Sequence, residues 1–261
     1  MKVGFLQFNP VFGKKHQNFE TVRELIKNNH ADLITLPELF NTGYTFLNRE
    51  ELAQLAEPIT GGETADFIFS LAQQMNCCLA YGFAEKEGRT FYNSMALVSP
   101  QGLIGLYRKA HLYFEEKKLF QPGNTGFKVF EYKEVKLGML VCYDWIYPEA
   151  MRTLAVKGAQ IILHAANLVM SYCPDAMITR ALENRVFVIT ADRIGAERRG
   201  GKEYTFIGKS QIVSPDGEII VSVKDEVCVK TVDIDPSAAL NKEVNEFNDI
   251  MRDRRDDLYF K

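Results

Sequence analysis

Two spacings of apolar residues alternate along the chain. Unbroken or period-two apolar runs at KVGFLQF (2–8), ADLITLP (31–37) and CCLAYGFAE (77–85) predict buried strands. Between them, Phe19, Val22, Leu25 and Ile26 recur at helical spacing within Asn18–Asn29, and Thr64–Met75 predicts a second helix. A hairpin follows, with FYNSMALV and LIGLYRK on either side of the turn SPQG. Farther on, FKVF, VKLGMLV, QIILHAA and RVFVITAD predict strands. Two helices are interleaved with these, one from Pro148, which suits a first helical position, to Lys157, and one over Pro174–Asn184. Strands separated by helices place the chain in the α/β class.

The pattern repeats once. VSPQGLIGLYRK (98–109) and VSPDGEIIVSVK (213–224) share a strand, an S-P-x-G turn and a second strand. Proline suits the second position of a type I turn, and the glycine tolerates positive φ. Chance similarity of two hairpins is one explanation. The other is that each half is an αβ-plus-hairpin unit and that the halves pack sheet against sheet, giving a four-layer α-β-β-α sandwich. No Pro/Gly/Ser-rich linker, charge block or low-complexity tract divides the sequence, so one domain over residues 1–261 is expected.

Composition narrows the class further. A chain of 261 residues that is 46% hydrophobic can bury a large core without disulfides or metals. Its net charge of -3 offers no general electrostatic reason to bind nucleic acid or an anionic membrane. The opening MKVGFLQFNP reads as a first strand rather than a signal peptide, and the longest apolar runs fall short of a membrane span. Five cysteines at irregular spacing, with no disulfide pattern, fit a reduced, cytoplasmic protein. Cys77 and Cys78 are strand neighbours on opposite faces, and Cys228 alternates with Val227 and Val229, so all three read as core thiols. With no C-x-x-C, no H-E-x-x-H and four histidines, neither a metal nor a cofactor is expected.

Three residues at predicted strand ends carry chemistry. Cys142 ends VKLGMLV at a strand-to-helix turn, where a nearby helix N-terminus favours a thiolate. Glu38 follows the strand before Pro37, and Lys109 closes LIGLYRK. A nucleophile, a base and an oxyanion stabiliser converging on one rim would suit attack on a carbonyl or nitrile carbon. Asn167, after QIILHAA, reads as a turn-former or a substrate contact. Tyr44, Trp145 and Tyr172 read as pocket walls or as core. His164 lies within an apolar strand and reads as a satisfied core histidine rather than a partner for Cys142. GAERRGGKE, from Gly195, reads as a mobile surface loop shaping access to the pocket.

LPELFNTGY at 36–44, YRKAHL at 107–112 and GMLVCYDWIYPEA at 138–150 resemble, in order, the glutamate, lysine and cysteine motifs of the nitrilase superfamily of carbon–nitrogen hydrolases. Glu116 and Phe120 in EKKLFQPG resemble its second-glutamate segment, and ANLVM and FIGKS are similar to those of small archaeal-type aliphatic nitrilases. The resemblance implies the sandwich fold, with Cys142 as nucleophile, Glu38 as general base and Lys109 as oxyanion stabiliser. It implies that Glu116 positions Lys109 or the substrate, and that the backbone amide of Tyr143 is the second oxyanion donor. The activity implied is cofactor-free hydrolysis of a small amide or nitrile through a thioester, releasing ammonia and an acid. Action on N-carbamoyl compounds, acyl transfer on the same residues and a noncatalytic binding module are the alternatives. The resemblance also implies a homodimer, clasped by the tail from Asn245 to Lys261, where DRRDDLY carries Asp256 at a position relatives give to proline. Otherwise that tail folds back over its own sheet.

Overall fold

In the computed structural model, which describes residues 1–259, two six-stranded sheets are stacked face to face. The first half runs β1 (Lys2–Gln7), α1 (Lys15–Ile26), β2 (Leu33–Thr35), α2 (Arg49–Leu55), α3 (Glu63–Met75), β3 (Cys78–Glu87), β4 (Thr90–Ser99) and β5 (Gly102–Arg108). A short helix, α4 (Glu116–Leu119), leads to β6 (Val129–Tyr132) and β7 (Val135–Val141). The second half continues with α5 (Pro148–Val156), β8 (Ile161–Ala165), α6 (Cys173–Asn184) and β9 (Phe187–Ala191). It ends with β10 (Ile194–Arg199), β11 (Lys202–Ile207), β12 (Gln211–Val213), β13 (Ile219–Ser222) and β14 (Cys228–Asp233).

The sheets have the orders β14-β1-β2-β3-β4-β5 and β13-β12-β9-β8-β7-β6. In each, three central strands are parallel, β1-β2-β3 and β7-β8-β9, and the remaining neighbours are antiparallel. The echoed hairpins, β4–β5 and β12–β13, therefore occupy the same place in the two sheets. Strand alternation builds the layers: Val3 and Phe5 of β1 join Met139, Ile161, Leu163 and Ile189 between the sheets. Leu6, on the other side of β1, packs under Phe19 and Val22 of α1 and Ile68 and Leu71 of α3. Met151 and Leu154 of α5 and Met177 of α6 cover the second sheet. The result is the expected four-layer sandwich. No helix among the described residues is long and apolar enough to cross a membrane.

Several sequence expectations shift. The first helix starts and ends three residues early, because the Asn18 side chain is not a cap. It accepts from Val11 N at 2.8 Å and donates to Asn41 O at 2.8 Å, stitching two loops together. Helix α2 was not expected from the pattern, since only Leu52 of its seven residues is buried; Asn48 caps it, accepting from Glu51 N at 2.8 Å. GAERRGGKE is no mobile loop. It forms hairpin β10–β11, turning at Gly200 and Gly201, both at positive φ as a tight primed turn requires. Cys77 and Cys78 do face opposite clusters, but Cys228 is only partly buried. The tail leans on its own α5, with Arg152 against Met251, and Lys242 just before it donates to the carbonyls of Asn184 and Arg185 at the end of α6. Even so, Phe247 stays 77% and Leu258 61% exposed. Phe260 and Lys261 of the expected clasp lie outside the described residues.

Candidate active site

Three loops meet at one rim. The turn carrying Glu38 runs beside β3, with Leu36 N donating to Ala80 O at 2.7 Å and Phe40 N to Gly82 O at 3.1 Å. A Cβ at Gly82 would lie 2.5 Å from Glu38 Cα, so only glycine lets the loop approach this closely. Lys109 leaves β5 with its amide donating to Asn93 O at 2.8 Å. Cys142 directly follows β7 and begins a 3₁₀ turn, Cys142–Ile146, ahead of α5. Leu39 and Cys142 both take left-handed backbone, at φ +51° and +44°, a conformation costly for residues with side chains. Asp144 braces this elbow. It accepts from Val141 N at 3.0 Å and Tyr107 Oη at 2.8 Å on one oxygen, and from His111 N at 3.1 Å on the other.

The side chains form one buried cluster. Lys109 Nζ lies 2.8 Å from Glu38 Oε1 and 2.8 Å from the Glu116 carboxylate, all three shut away from solvent. Asn93 Nδ2 donates to the same Glu38 oxygen at 2.7 Å, while Glu38 Oε2 is buried with no partner. Glu116 also accepts from Tyr44 Oη at 2.9 Å and Tyr113 N at 3.1 Å. Burial opposes the Lys109 charge, but Glu116 and Glu38 outweigh it and hold the ammonium well above its ordinary pKa. Burial, opposed by Lys109 and reinforced by Glu38, lifts the Glu116 carboxyl above the usual range. Burial and the Glu38 charge push the Cys142 thiol well up, against the pull of Lys109. Burial thus opposes the thiolate that a helix N-terminus was expected to favour, and α5 begins six residues after Cys142.

Cys142 opens into a cavity of about 270 Å³. Tyr113, Tyr143, Trp145, Leu168, Met170 and Tyr172 supply most of its wall, and among the described residues no charged one lines it. Asn167 also lines it, its carbonyl 3.9 Å from Cys142 Sγ and both polar atoms of its buried amide without partners. Tyr44 is not part of that lining. Its hydroxyl reaches Glu116, and its ring packs edge-on against Tyr204 and Phe206 of β11. Glu197 of β10, paired with the fully buried Arg193, accepts from Tyr44 N at 3.1 Å and Thr45 N at 2.7 Å, so the hairpin fixes that loop. His164 is buried as expected, with Nε2 3.0 Å from the Cys142 carbonyl oxygen. Among the described residues no three His, Cys, Asp or Glu gather to hold a metal.

The sequence profile of carbon–nitrogen hydrolases matches residues 2–240. The chain belongs to that family. This carbon–nitrogen hydrolase is 46% identical over 265 residues to a nitrilase of Pyrococcus abyssi, with both chains covered in full. It is 33% identical to an N-carbamoylputrescine amidase of Solanum lycopersicum, over 93% of this chain and 88% of the relative. A carbon–nitrogen hydrolase structure from Helicobacter pylori superposes with a TM-score of 0.90 at 26% identity, over 99% of this chain and 97% of that one. These relatives place it among the enzymes of the nitrilase superfamily. Asn93, Tyr113, Asp144 and the Arg193–Glu197 pair were not singled out from the sequence. Asp144, two residues after Cys142, was the one with a local signal.

Proposed function

We propose that this carbon–nitrogen hydrolase cleaves small, uncharged amides or nitriles by attack of Cys142 Sγ. The observation that carries the reading is the unpartnered Glu38 Oε2, buried in the cluster that Lys109 completes and whose charges act on the Cys142 thiol. With an amide, Glu38 takes the thiol proton as sulfur attacks the carbonyl carbon. The charge that develops on oxygen is met by Lys109 Nζ and the N–H of Tyr143. The tetrahedral intermediate expels ammonia, protonated by Glu38, and leaves a thioester. A water that gives its proton to Glu38 then releases the acid and the free thiol. With a nitrile, attack gives a thioimidate, and a first water brings it to the same thioester with loss of ammonia. A protonated resting thiol suits this scheme, because the proton that ends on ammonia starts on sulfur.

Glu116 holds Lys109 in place, and Tyr44 acts on Glu116 rather than on substrate. Trp145 flanks the acyl chain, and the free donor and acceptor of Asn167 offer partners to a carboxamide. A terminal ammonium or carboxylate on the substrate would meet no countercharge in this lining. Two chains pair, in our reading, through the exposed apolar residues of 245–259. The test is an ammonia-release screen over aliphatic nitriles, ω-amides, N-carbamoyl compounds and simple amides, with Cys142→Ala to subtract background. Neutral short-chain substrates are expected to lead, and Glu38→Gln to lose turnover of both amides and nitriles. Equal turnover by Glu38→Gln and the unaltered enzyme would remove Glu38 from the mechanism.

A further inference from the structure

We propose that His164 is a positioning residue that aims the Tyr143 backbone N–H at the reacting oxygen by holding the carbonyl of Cys142. The inference rests on the reading of Cys142 and Tyr143 given above, and adds the residue that sets the direction of the donor. The Cys142 carbonyl and the Tyr143 N–H belong to one peptide unit, and no peptide bond among the described residues is cis. A planar trans unit points its N–H opposite its C=O. Fixing the oxygen on one side therefore fixes the donor on the other. His164 Nε2 holds that oxygen at 3.0 Å from beneath the elbow, on β8, while Cys142 and Tyr143 both face the cavity.

The chemistry of the ring supports an aimed donor. A carbonyl only accepts, so Nε2 carries the hydrogen and Nδ1 is bare. The bare Nδ1 accepts from Thr190 Oγ1 at 3.2 Å, and both residues are fully buried. Burial keeps the imidazole neutral, with its pKa below the ordinary histidine value against the pull of the Cys142 carbonyl. That is the protonation state the two hydrogen bonds require. The tether also sits at a strained point, since Cys142 is at φ +44°. Asp144 restrains the amide just before Cys142, and His164 restrains the carbonyl just after it.

The experiment compares His164→Leu, His164→Gln and Thr190→Val on butyramide hydrolysis and on iodoacetamide alkylation of Cys142. Alkylation at a saturated carbon builds no oxyanion, so it reports access to the thiol without the donor. Outright removal of one oxyanion donor costs about 10²–10³ in kcat, and misdirecting one is expected to cost about 10–10² in His164→Leu. KM and the alkylation rate should stay within about threefold of the unaltered enzyme, because the lost contact is made in the transition state. Glutamine, which presents an N–H at similar reach, should recover most of the rate. Thr190→Val keeps shape but removes the donor that anchors Nδ1, so nitrogen NMR of the His164 ring should still show Nε2–H, with its bond to the Cys142 carbonyl weakened, as kcat falls. This variant decides the matter if His164→Leu does not fold. Unchanged kcat in His164→Leu and Thr190→Val would overturn the proposal. So would a parallel loss of turnover and alkylation that glutamine does not rescue, which marks a purely structural role. If Cys142→Ala releases ammonia as fast as the unaltered enzyme, it is the nucleophile assignment that has failed.

Discussion

Replacing Lys109 with methionine removes an ammonium that lies between two buried carboxylates. Breaking a buried ion pair by deleting one partner costs about 3–5 kcal/mol, because the other charge is left desolvated. Here two are left, and a buried carboxylate escapes desolvation by binding a proton. Glu116 already leans that way, its carboxyl raised by burial and by Glu38 and restrained by Lys109. Without Lys109 it rises further. A carboxyl raised by folding binds a proton that the unfolded chain releases, so it destabilises above its unfolded value and ceases to do so as pH falls. The variant's deficit should thus shrink by about 1.4 kcal/mol per pH unit for each carboxyl that protonates on folding. Urea unfolding at several pH values is the assay. A deficit of about 3–5 kcal/mol near pH 8 should fall by more than half near pH 5. Ammonia release should drop by about 10²–10³ or more, and Lys109→Arg should not restore it, since a planar guanidinium cannot replace a compact ammonium. A deficit below about 1 kcal/mol that is flat with pH would refute the reasoning.

Three further outcomes follow from the packing. Gly82→Ala places a methyl 2.5 Å from Glu38 Cα, and shifting that loop should lower kcat by about tenfold or more while KM changes little; unaltered kinetics would mean that the close approach does not set the position of Glu38. Native protein near neutral pH should take one iodoacetamide adduct, on Cys142, because it alone opens into the cavity and Glu38 can accept its proton as the sulfur attacks. Half-burial and Glu226 push the Cys228 thiol up to about 11, so its thiolate grows tenfold per pH unit and a second adduct appears towards pH 10. Cys77, pushed up to about 12 by burial, Cys78 and Cys173 should stay unlabelled until unfolding, and early labelling there would contradict the core packing. Deleting residues 245–261 should halve the mass seen by light scattering, whereas an unchanged mass would show that the tail is not the clasp.

The sandwich was legible because strands buried on both faces read as unbroken apolar runs. VKLGMLV, IILHA and FVITA are such runs, and each is a central strand of the second sheet. The second hairpin echo marked the matching edge of that sheet. Hairpin β10–β11 was hidden for the opposite reason. It buries chiefly Glu197 and Phe206, and its hold on the first half comes from ion pairs such as Arg199 with Glu51, far apart in sequence. The contacts of Tyr44 with Tyr204 and Phe206 are equally remote in sequence, so its packing was not readable from its own motif. The strand-end positions of Glu38, Lys109 and Cys142 were readable locally. The protonation of Cys142 was not, because its desolvation arises only when three loops close over one another.

The covalent intermediate offers the most direct test. The unaltered enzyme is mixed with a turning-over amide from the screen, quenched in acid within milliseconds, and its intact mass and peptides are measured. The account predicts a mass increase equal to the acyl group, located on the 138–150 peptide that contains Cys142. Cys142→Ala should show neither the adduct nor ammonia release. Full ammonia release by Cys142→Ala, or an adduct on any other residue, would contradict it.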